Sequence, residues 1–360
     1  MKNKTMKIKK FSSLRNSKRI SKKSQVSIEV NWLFVAIAGA IILIFFIGLV
    51  YRQRTVSETT LSGTLASDIE AILTGARVST KTTESITTPA EITFICDAEG
   101  DSWFGIDWKR TGMKKDIPID VVFAPDLIKE GELIPWALSF SAPFKVVNFL
   151  YLTSSQIRYI FVDIDDNDFA TEIYYTLPEG MKKEHIASSN ITNIQNLNNY
   201  KVKFIFFEDA SGVAELPAFF QDIDVSAIQI LSDSKQINFW KKQGTTLVKE
   251  APSSYLTPEM LYGAIYAEDL TSYECNVKKA FKRFSLVTAV YAEREMELKN
   301  AYSGTDCGDI YWKTIADLNT TLYGCVPTNT CLTTSDTLSK IQEIERNNGA
   351  LGLYSCPLLY

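Results

Sequence analysis

The chain has 360 residues, 46% of them hydrophobic, and a formal net charge of −4. Its charge is unevenly distributed, because ten of the 38 lysine and arginine residues lie in the first 23 positions, whereas the first acidic residue is Glu29. Residues 24–360 therefore carry 28 basic and all 42 acidic residues, a formal charge of −14. Binding a nucleic-acid backbone needs clustered cations, so this acidic region excludes nucleic acid as an expected partner.

A long uncharged segment follows the basic terminus. Residues 30–51 contain no charged side chain, and about 20 apolar helical residues are enough to cross the hydrocarbon core of a membrane. Because cytoplasmic flanks are rich in lysine and arginine, we expect residues 1–24 in the cytoplasm and the chain after Arg52 outside. The sequence predicts a single-pass protein of the cell membrane, with the lipid bilayer as a partner and an extracellular C-terminal domain. The run is too long for a cleaved secretory signal, so one interpretation is an uncleaved signal anchor.

The junction between the two segments supports a second interpretation. Gln25, Ser27, Glu29 and Leu33 fit the pattern Gln-x-Ser-x-Glu-x-x-x-Leu, which resembles the class III signal peptide of archaeal type IV pilin-like proteins. The resemblance is limited to the N-terminal segment. It implies that a prepilin-type peptidase cuts between Ser24 and Gln25 and leaves the apolar helix on the mature protein. It also implies that pilin-like subunits are possible partners.

Processing of this kind gives Glu29 a physical role. A carboxylate at the edge of the hydrocarbon is costly unless it is paired. The new α-ammonium group of Gln25, on the same subunit or on a neighbour in a filament, is a suitable partner.

The chain after the apolar run divides into four predicted parts. Apolar positions recur at helical spacing to about residue 78, so we expect one transmembrane and stalk helix over 25–78 that packs against its own outer domain or against neighbouring stalks. Residues 79–90 form a Ser/Thr-rich linker. Residues 91–250 are predicted to form an α/β ectodomain, and 251–360 a helical, cysteine-rich subdomain.

The fold class follows from the order of the predicted elements. Strands are expected at 91–96, 117–123, 137–140, 158–164, 201–207 and 227–231, a hairpin at 237–240 and 245–248, and helices at 169–177, from 257 onward, at 310–322 and at 336–346. Alternating strands and helices favour parallel α/β units. We expect an α/β or α+β ectodomain, with a central mixed sheet and a C-terminal helical subdomain, on the long N-terminal helix.

Six cysteines lie on the predicted outer side of the membrane. An even number of cysteines in an oxidising compartment indicates disulfides. We expect Cys325 and Cys331 to form a local bridge, because Gly324 and Pro327 indicate a turn, and Cys96 to tie the helical subdomain to the first strand. No cysteine pair has zinc-ligand spacing, so no metal site is expected. The cysteines are Cys96, Cys275, Cys307, Cys325, Cys331 and Cys356.

Two N-glycosylation sequons also lie on this side. They are Asn190-Ile191-Thr192 and Asn319-Thr320-Thr321, and both Asn190 and Asn319 are candidate acceptors.

The best candidate for an active site is an acidic segment. Asp163, Asp165, Asp166, Asn167 and Asp168 follow a predicted buried strand, where α/β sheets bind ligands. The Asp-x-Asp resembles the first motif of haloacid-dehalogenase-type phosphatases, which implies Asp163 as nucleophile and Asp165 as acid/base.

Two non-catalytic interpretations of the same segment stay open. Its Asp and Asn spacing begins like a calcium loop, although Asp168 occupies the glycine position and Tyr174 the position of the bidentate glutamate. Alternatively, the segment is a solvated turn that caps the next helix.

Other catalytic patterns are missing from the sequence. His185 is the only histidine, and neither a Gly-x-Ser-x-Gly elbow nor a phosphate-binding glycine loop occurs. We therefore expect a non-enzymatic, membrane-anchored pilin-like surface protein for adhesion, filament assembly or cell-surface contact, with no cofactor. An anchored extracytoplasmic hydrolase that uses Asp163 and Asp165 is the alternative.

Overall fold

A computed structural model gives the fold of the chain. The structure describes residues 22–78, 85–97, 100, 102–106, 114–116, 121–194, 199–207, 220, 224–244, 246–311, 314–328, 330–332 and 335–360. It divides into two compact units, Met1–Thr59 and Thr60–Tyr360.

Helix α1 spans Lys22–Val78. In the first unit, its large apolar side chains between residues 35 and 50 are exposed, with 42% to 69% of their surface accessible. Among the residues whose side chains the structure describes, which in this part of α1 are 35–50, no helix has an apolar stretch of the length and hydropathy that a membrane span requires.

The second unit begins with the end of α1 and two small sheets. The first sheet has the strand order β1-β7-β8-β5, in which β7 and β8 form a long antiparallel hairpin and β5 runs parallel to β8. Its strands are β1 (Ile86–Thr88), β5 (Val122–Phe123), β7 (Gly131–Ser141) and β8 (Lys145–Ser154). Strand β1 lies inside the predicted linker at 79–90, and its pairing with β7 shows that this part of the segment belongs to the fold.

The second small sheet is antiparallel, with the order β4-β3-β2-β6. Its strands are β2 (Ile92–Cys96), β3 (Ser102–Ile106), β4 (Lys114–Asp116) and β6 (Leu127–Ile128). One hydrophobic cluster joins the two small sheets, and Ile69 and Leu73 from the last turns of α1 are buried in it. These turns therefore pack against the chain's own outer domain.

A six-stranded sheet follows, with the order β10-β9-β11-β12-β13-β14. Its strands are β9 (Ile157–Val162), β10 (Lys183–Ile186), β11 (Lys201–Phe207), β12 (Asp224–Leu231), β13 (Gln236–Gln243) and β14 (Thr246–Ser254). The first four are parallel, and β13 and β14 are antiparallel. Along the chain, helix α2 (Asp168–Thr176) connects β9 to β10, and a 3-10 helix (Ser188–Asn193) lies between β10 and β11. Because β10 and β11 flank β9 on opposite sides, the carboxyl ends of β9 and β11 form a topological switch point, where such sheets bind ligands.

Helices form most of the remaining chain. They are α3 (Pro258–Tyr266), α4 (Leu270–Ala301), α5 (Asp306–Ile310), α6 (Thr314–Cys325) and α7 (Ser335–Leu353). The largest hydrophobic cluster contains residues from 121 to 359, including β8, the central sheet and the helices. The predicted parts 91–250 and 251–360 thus share one core, and the mixed α/β fold with C-terminal helices is confirmed.

Several predicted elements differ from the structure at their ends. Of the predicted strand at 117–123, only Val122–Phe123 is a described strand, and 117–120 lie outside the described residues. The predicted helix at 310–322 is two helices, α5 and α6. Thr257 is the N-cap of α3, but its hydroxyl is buried and makes no hydrogen bond to any described group.

A glycine in α3 allows the helix to lie close to the first sheet. A Cβ atom at Gly263 would stand 2.8 Å from two carbons of the Phe123 ring. We expect Gly263→Ala to lower the free energy of unfolding by up to about 2 kcal/mol, because overpacking costs about 1–3 kcal/mol and the higher helix propensity of alanine offsets about 1 kcal/mol of this cost. Denaturant titration measures the change.

Gly349 in α7 is the matched control, since a Cβ atom there would meet nothing within 4 Å. Gly349→Ala should stabilise the protein by up to about 1 kcal/mol. A Gly263→Ala variant that is as stable as Gly349→Ala would contradict the close contact with Phe123.

Candidate functional site

The predicted processing residues lie within the bounds of α1. They are Ser24, Gln25, Ser27, Glu29 and Leu33. Their side chains fall outside the described part of the structure, so class III processing stays a prediction.

The acidic segment occupies the switch point of the central sheet. Strand β9 ends at Val162, and Asp163 turns the chain with a φ of 54°. The backbone N–H of Asp163 donates to Ile186 O at 3.0 Å, and the N–H of Ser188 donates to Asp163 Oδ1 at 2.8 Å. These bonds hold Asp163 beside the carboxyl end of β10, as the strand order predicts.

Most of the remaining segment forms a helix cap. Asn167 is the N-cap of α2, and its Oδ1 accepts the N–H of Ala170 at 3.0 Å. Asp168 lies in the first turn, where a carboxylate is favoured by the helix dipole. Both observations agree with the interpretation of a solvated turn that caps the next helix.

The space in front of the turn is an open depression of about 550 Å³. It is lined by Asp163, Asp166, Asn167, Asp168, Phe169, Phe207 and Ser232, with no lysine or arginine among these described residues. Asp165 pairs instead with His185, at 3.3 Å between Oδ1 and Nδ1, and 78% of its side chain is exposed. The described lining therefore provides three aspartates but no cation beside them.

A calcium site at this turn finds no support in the arrangement of its ligands. Among the described residues, no group of three or more histidine, cysteine, aspartate or glutamate side chains is placed to hold a metal ion. Asp168 and Tyr174, at the glycine and glutamate positions of the calcium pattern, both lie within α2.

A second cluster of charged residues lies at the opposite end of the parallel strands. Lys201 begins β11, and its Nζ contacts Asp224 Oδ2 at 2.9 Å, Asp126 Oδ1 at 3.1 Å and the Glu268 carboxylate. Only 5% of the Lys201 side chain is exposed, against 17% for Glu268 and more than half for the two aspartates. The N–H of Asp126 also donates to Glu268 Oε2. We call these four residues the Lys201 cluster.

Electrostatics in the Lys201 cluster favour the charged lysine. Burial opposes the charge, but Glu268, Asp224 and Asp126 outweigh it and raise the pKa of Lys201. Burial raises the pKa of Glu268, and Lys201 counteracts this effect only in part. The cluster joins the loop before β6, the starts of β11 and β12 and the turn between α3 and α4, so it acts as a structural tie.

Lys203, two residues further along β11, has a different role. It is fully buried, and its Nζ donates to Ala264 O at 2.9 Å and to Ala267 O, the carbonyls at the end of α3. Burial lowers the pKa of Lys203 to about 7. Its hydrogen bonds satisfy carbonyls at the C-terminal end of the helix, and the helix dipole favours the charged form there.

All six cysteines are paired. The disulfides are Cys96–Cys275, Cys307–Cys356 and Cys325–Cys331, and no free cysteine is present. The local bridge and the link from Cys96 to the helical region are confirmed. The sequence did not predict which partner Cys307 has.

Both predicted glycan acceptors are accessible. Asn190 is exposed in the 3-10 helix, and Asn319 is partly exposed in α6.

Comparisons with protein-family models, curated proteins and solved structures found no match.

Proposed function

We propose that the protein is a membrane-anchored, pilin-like surface protein with a non-enzymatic outer domain. The observation that carries the proposal is the exposure of α1 between residues 35 and 50. Residues 41 to 47 are all large and apolar, and every one is at least 49% exposed. Seven consecutive helical residues cover all sides of a helix, and a helix that is apolar all round is buried in protein or in a membrane.

In the sequence, the apolar segment continues on both sides of residues 35–50. The uncharged run covers residues 30–51, which is long enough for a bilayer, and the basic terminus gives its orientation. The Gln-x-Ser-x-Glu-x-x-x-Leu junction then favours a pilin-like anchor over a plain signal anchor. Ile69 and Leu73, in the last turns of α1, are buried within the outer domain itself.

The outer domain supports binding or assembly better than catalysis. The acidic turn at Asp163 is open, and its described lining contains no cation. Adhesion, filament assembly and cell-surface contact all fit an acidic ectodomain that is cross-linked by three disulfides.

Processing gives the direct test. The mature protein purified from membranes is expected to begin at Gln25, as read by N-terminal sequencing, after loss of the ten basic residues. Glu29→Gln should be cleaved normally but should assemble into fewer filaments by electron microscopy, because its side chain no longer pairs with an α-ammonium group in a low-dielectric site. Asp68→Asn, at an exposed position of α1, is the matched control.

Two results would count against parts of the proposal. An intact Met1 terminus would leave the plain signal anchor. Cleaved wild-type protein that neither forms filaments nor joins one would be a processed, solitary surface protein, and filament assembly would be excluded.

A further inference from the structure

One disulfide joins the start of the outer domain to its helical region. Cys96 is the last residue of β2, the first strand of its sheet to follow α1, and Cys275 is buried near the start of α4. The two cysteines are 179 residues apart in sequence. The chain between them includes the hairpin β7–β8, the whole central sheet, α2 and α3. This part of the chain is a covalently closed loop.

A second disulfide closes the C-terminal region in the same way. Cys307 and Cys356 are 49 residues apart and enclose α6 and α7. The third disulfide, Cys325–Cys331, lies inside that loop. The shortest covalent path from α1 to the C-terminus therefore runs along β2, through Cys96–Cys275, along α4 and through Cys307–Cys356.

We propose that the Cys96–Cys275 disulfide keeps the central sheet out of the path of mechanical force. The inference rests on the proposed function, because a surface protein held by α1 bears load whenever something outside pulls on it. A pull between α1 and any point beyond Cys275 passes through the disulfide into α4. The covalent path bypasses the closed loop, so the pull cannot extend the chain of the central sheet while the disulfide is intact.

The surroundings of the disulfide fit a point of force transfer. Asn276, the next residue of α4, accepts the N–H of Val122 at 3.1 Å through its Oδ1. One turn further, Lys279 Nζ contacts Ser102 Oγ on β3. Both bonds tie the same segment of α4 to the small sheets, so the disulfide and its neighbours act together.

Helix α4 is the element that carries the load. It has 32 residues, and Asp269 caps it by accepting the N–H of Ser272. Phe281 and Phe284 are buried in the main core, so the helix is supported along its inner side.

Pulling on single molecules tests the proposal. The full chain is held in detergent micelles by handles at its two termini and extended with optical tweezers. Cys96→Ser with Cys275→Ser should lengthen the fully extended chain by about 600 Å, since 179 residues each span about 3.3–3.6 Å. Cys325→Ser with Cys331→Ser is the matched control and should add no length, because its loop lies inside the one closed by Cys307–Cys356.

A second measurement covers the case in which the serine variant does not fold. Wild-type protein is pulled again after a dithiol reductant is added under load. Each Sγ–Sγ bond takes up two electrons and two protons to give two thiols, and the dithiol becomes a cyclic disulfide. The extended molecule should then lengthen in steps, as each reduced disulfide releases the chain that it had closed into a loop.

Wild-type oxidised protein that already extends by the additional 600 Å would overturn the proposal. Fully reduced protein that shows no step of this size would overturn it as well. Neither result depends on where the N-terminus is cut, so failure of the load path is distinguishable from failure of the pilin-like anchor.

Discussion

Replacement of Cys96 and Cys275 together by serine is expected to lower the free energy of unfolding by about 5 kcal/mol. In the chain-entropy model a disulfide restricts the unfolded chain, and the effect grows with the logarithm of loop length. The loop here spans 179 residues. The loss should appear in guanidinium titrations of the full chain in detergent, as a lower midpoint at an unchanged or larger slope.

The Cys325–Cys331 bridge provides the comparison. Its cysteines are only 6 residues apart, so the same model predicts a loss of about 2 kcal/mol for the double serine variant. Equal losses for the two variants would show that local strain or packing, and not loop length, determines what these disulfides contribute.

Lys201→Met is expected to cost about 3–5 kcal/mol, the range for removing one partner of a buried ion pair. The variant leaves Glu268 beside Asp126 and Asp224 with no cation between them. Lys241→Met is the matched control, because Lys241 pairs with Asp269 at 3.3 Å but is 57% exposed, and exposed pairs contribute about 0–1 kcal/mol. Thermal or denaturant unfolding of both variants at neutral pH measures the difference.

The dependence on pH separates charge from packing. The pKa of Lys201 is raised above its ordinary value of 10.5, so the wild-type stability that it contributes is complete below about pH 10 and is lost as the pH rises through the native pKa. In Lys201→Met the repulsion among the carboxylates weakens as they become protonated, so the deficit should shrink on acidification. A deficit that does not change between neutral and acidic pH would mean that Lys201 acts through packing alone.

Strands with a clear pattern were predictable from the sequence, and strands of mixed environment were not. Strand β11 was predicted with its observed bounds because it ends in four consecutive apolar residues, 204–207. Strand β8 was missed because both of its faces are buried, with Phe149 and Leu150 in different clusters, so it has no alternation of polar and apolar residues. Strand β10 (Lys-Glu-His-Ile) was missed because it is an edge strand of polar composition.

The charged sites also differ in how far the sequence alone could predict them. The turn at Asp163 was predictable because its residues are adjacent in sequence. The Lys201 cluster was not, since its members are separated by up to 142 residues and only the fold brings them together. A lysine at the start of a buried strand was the one available signal, and it occurred twice, at Lys201 and Lys203.

The helix ends carry a consequence for how the outer domain folds. Side chains from other elements complete three of them: Lys183 of β10 donates to the carbonyls of Tyr174 and Leu177 at the end of α2, Lys203 of β11 does so for α3, and Glu295 of α4 accepts the N–H of Ile315 at the start of α6.

Two of these partners are distant in sequence, since Lys203 lies 61 residues from Ala264 and Glu295 lies 20 residues from Ile315. A peptide that contains α3 or α6 alone would therefore lack these end contacts. Short isolated helices are marginal in water even with good caps. The hydrogen bonds at the ends of α2 and α3 therefore form only when β10 and β11 are in place, which couples these helix ends to the sheet.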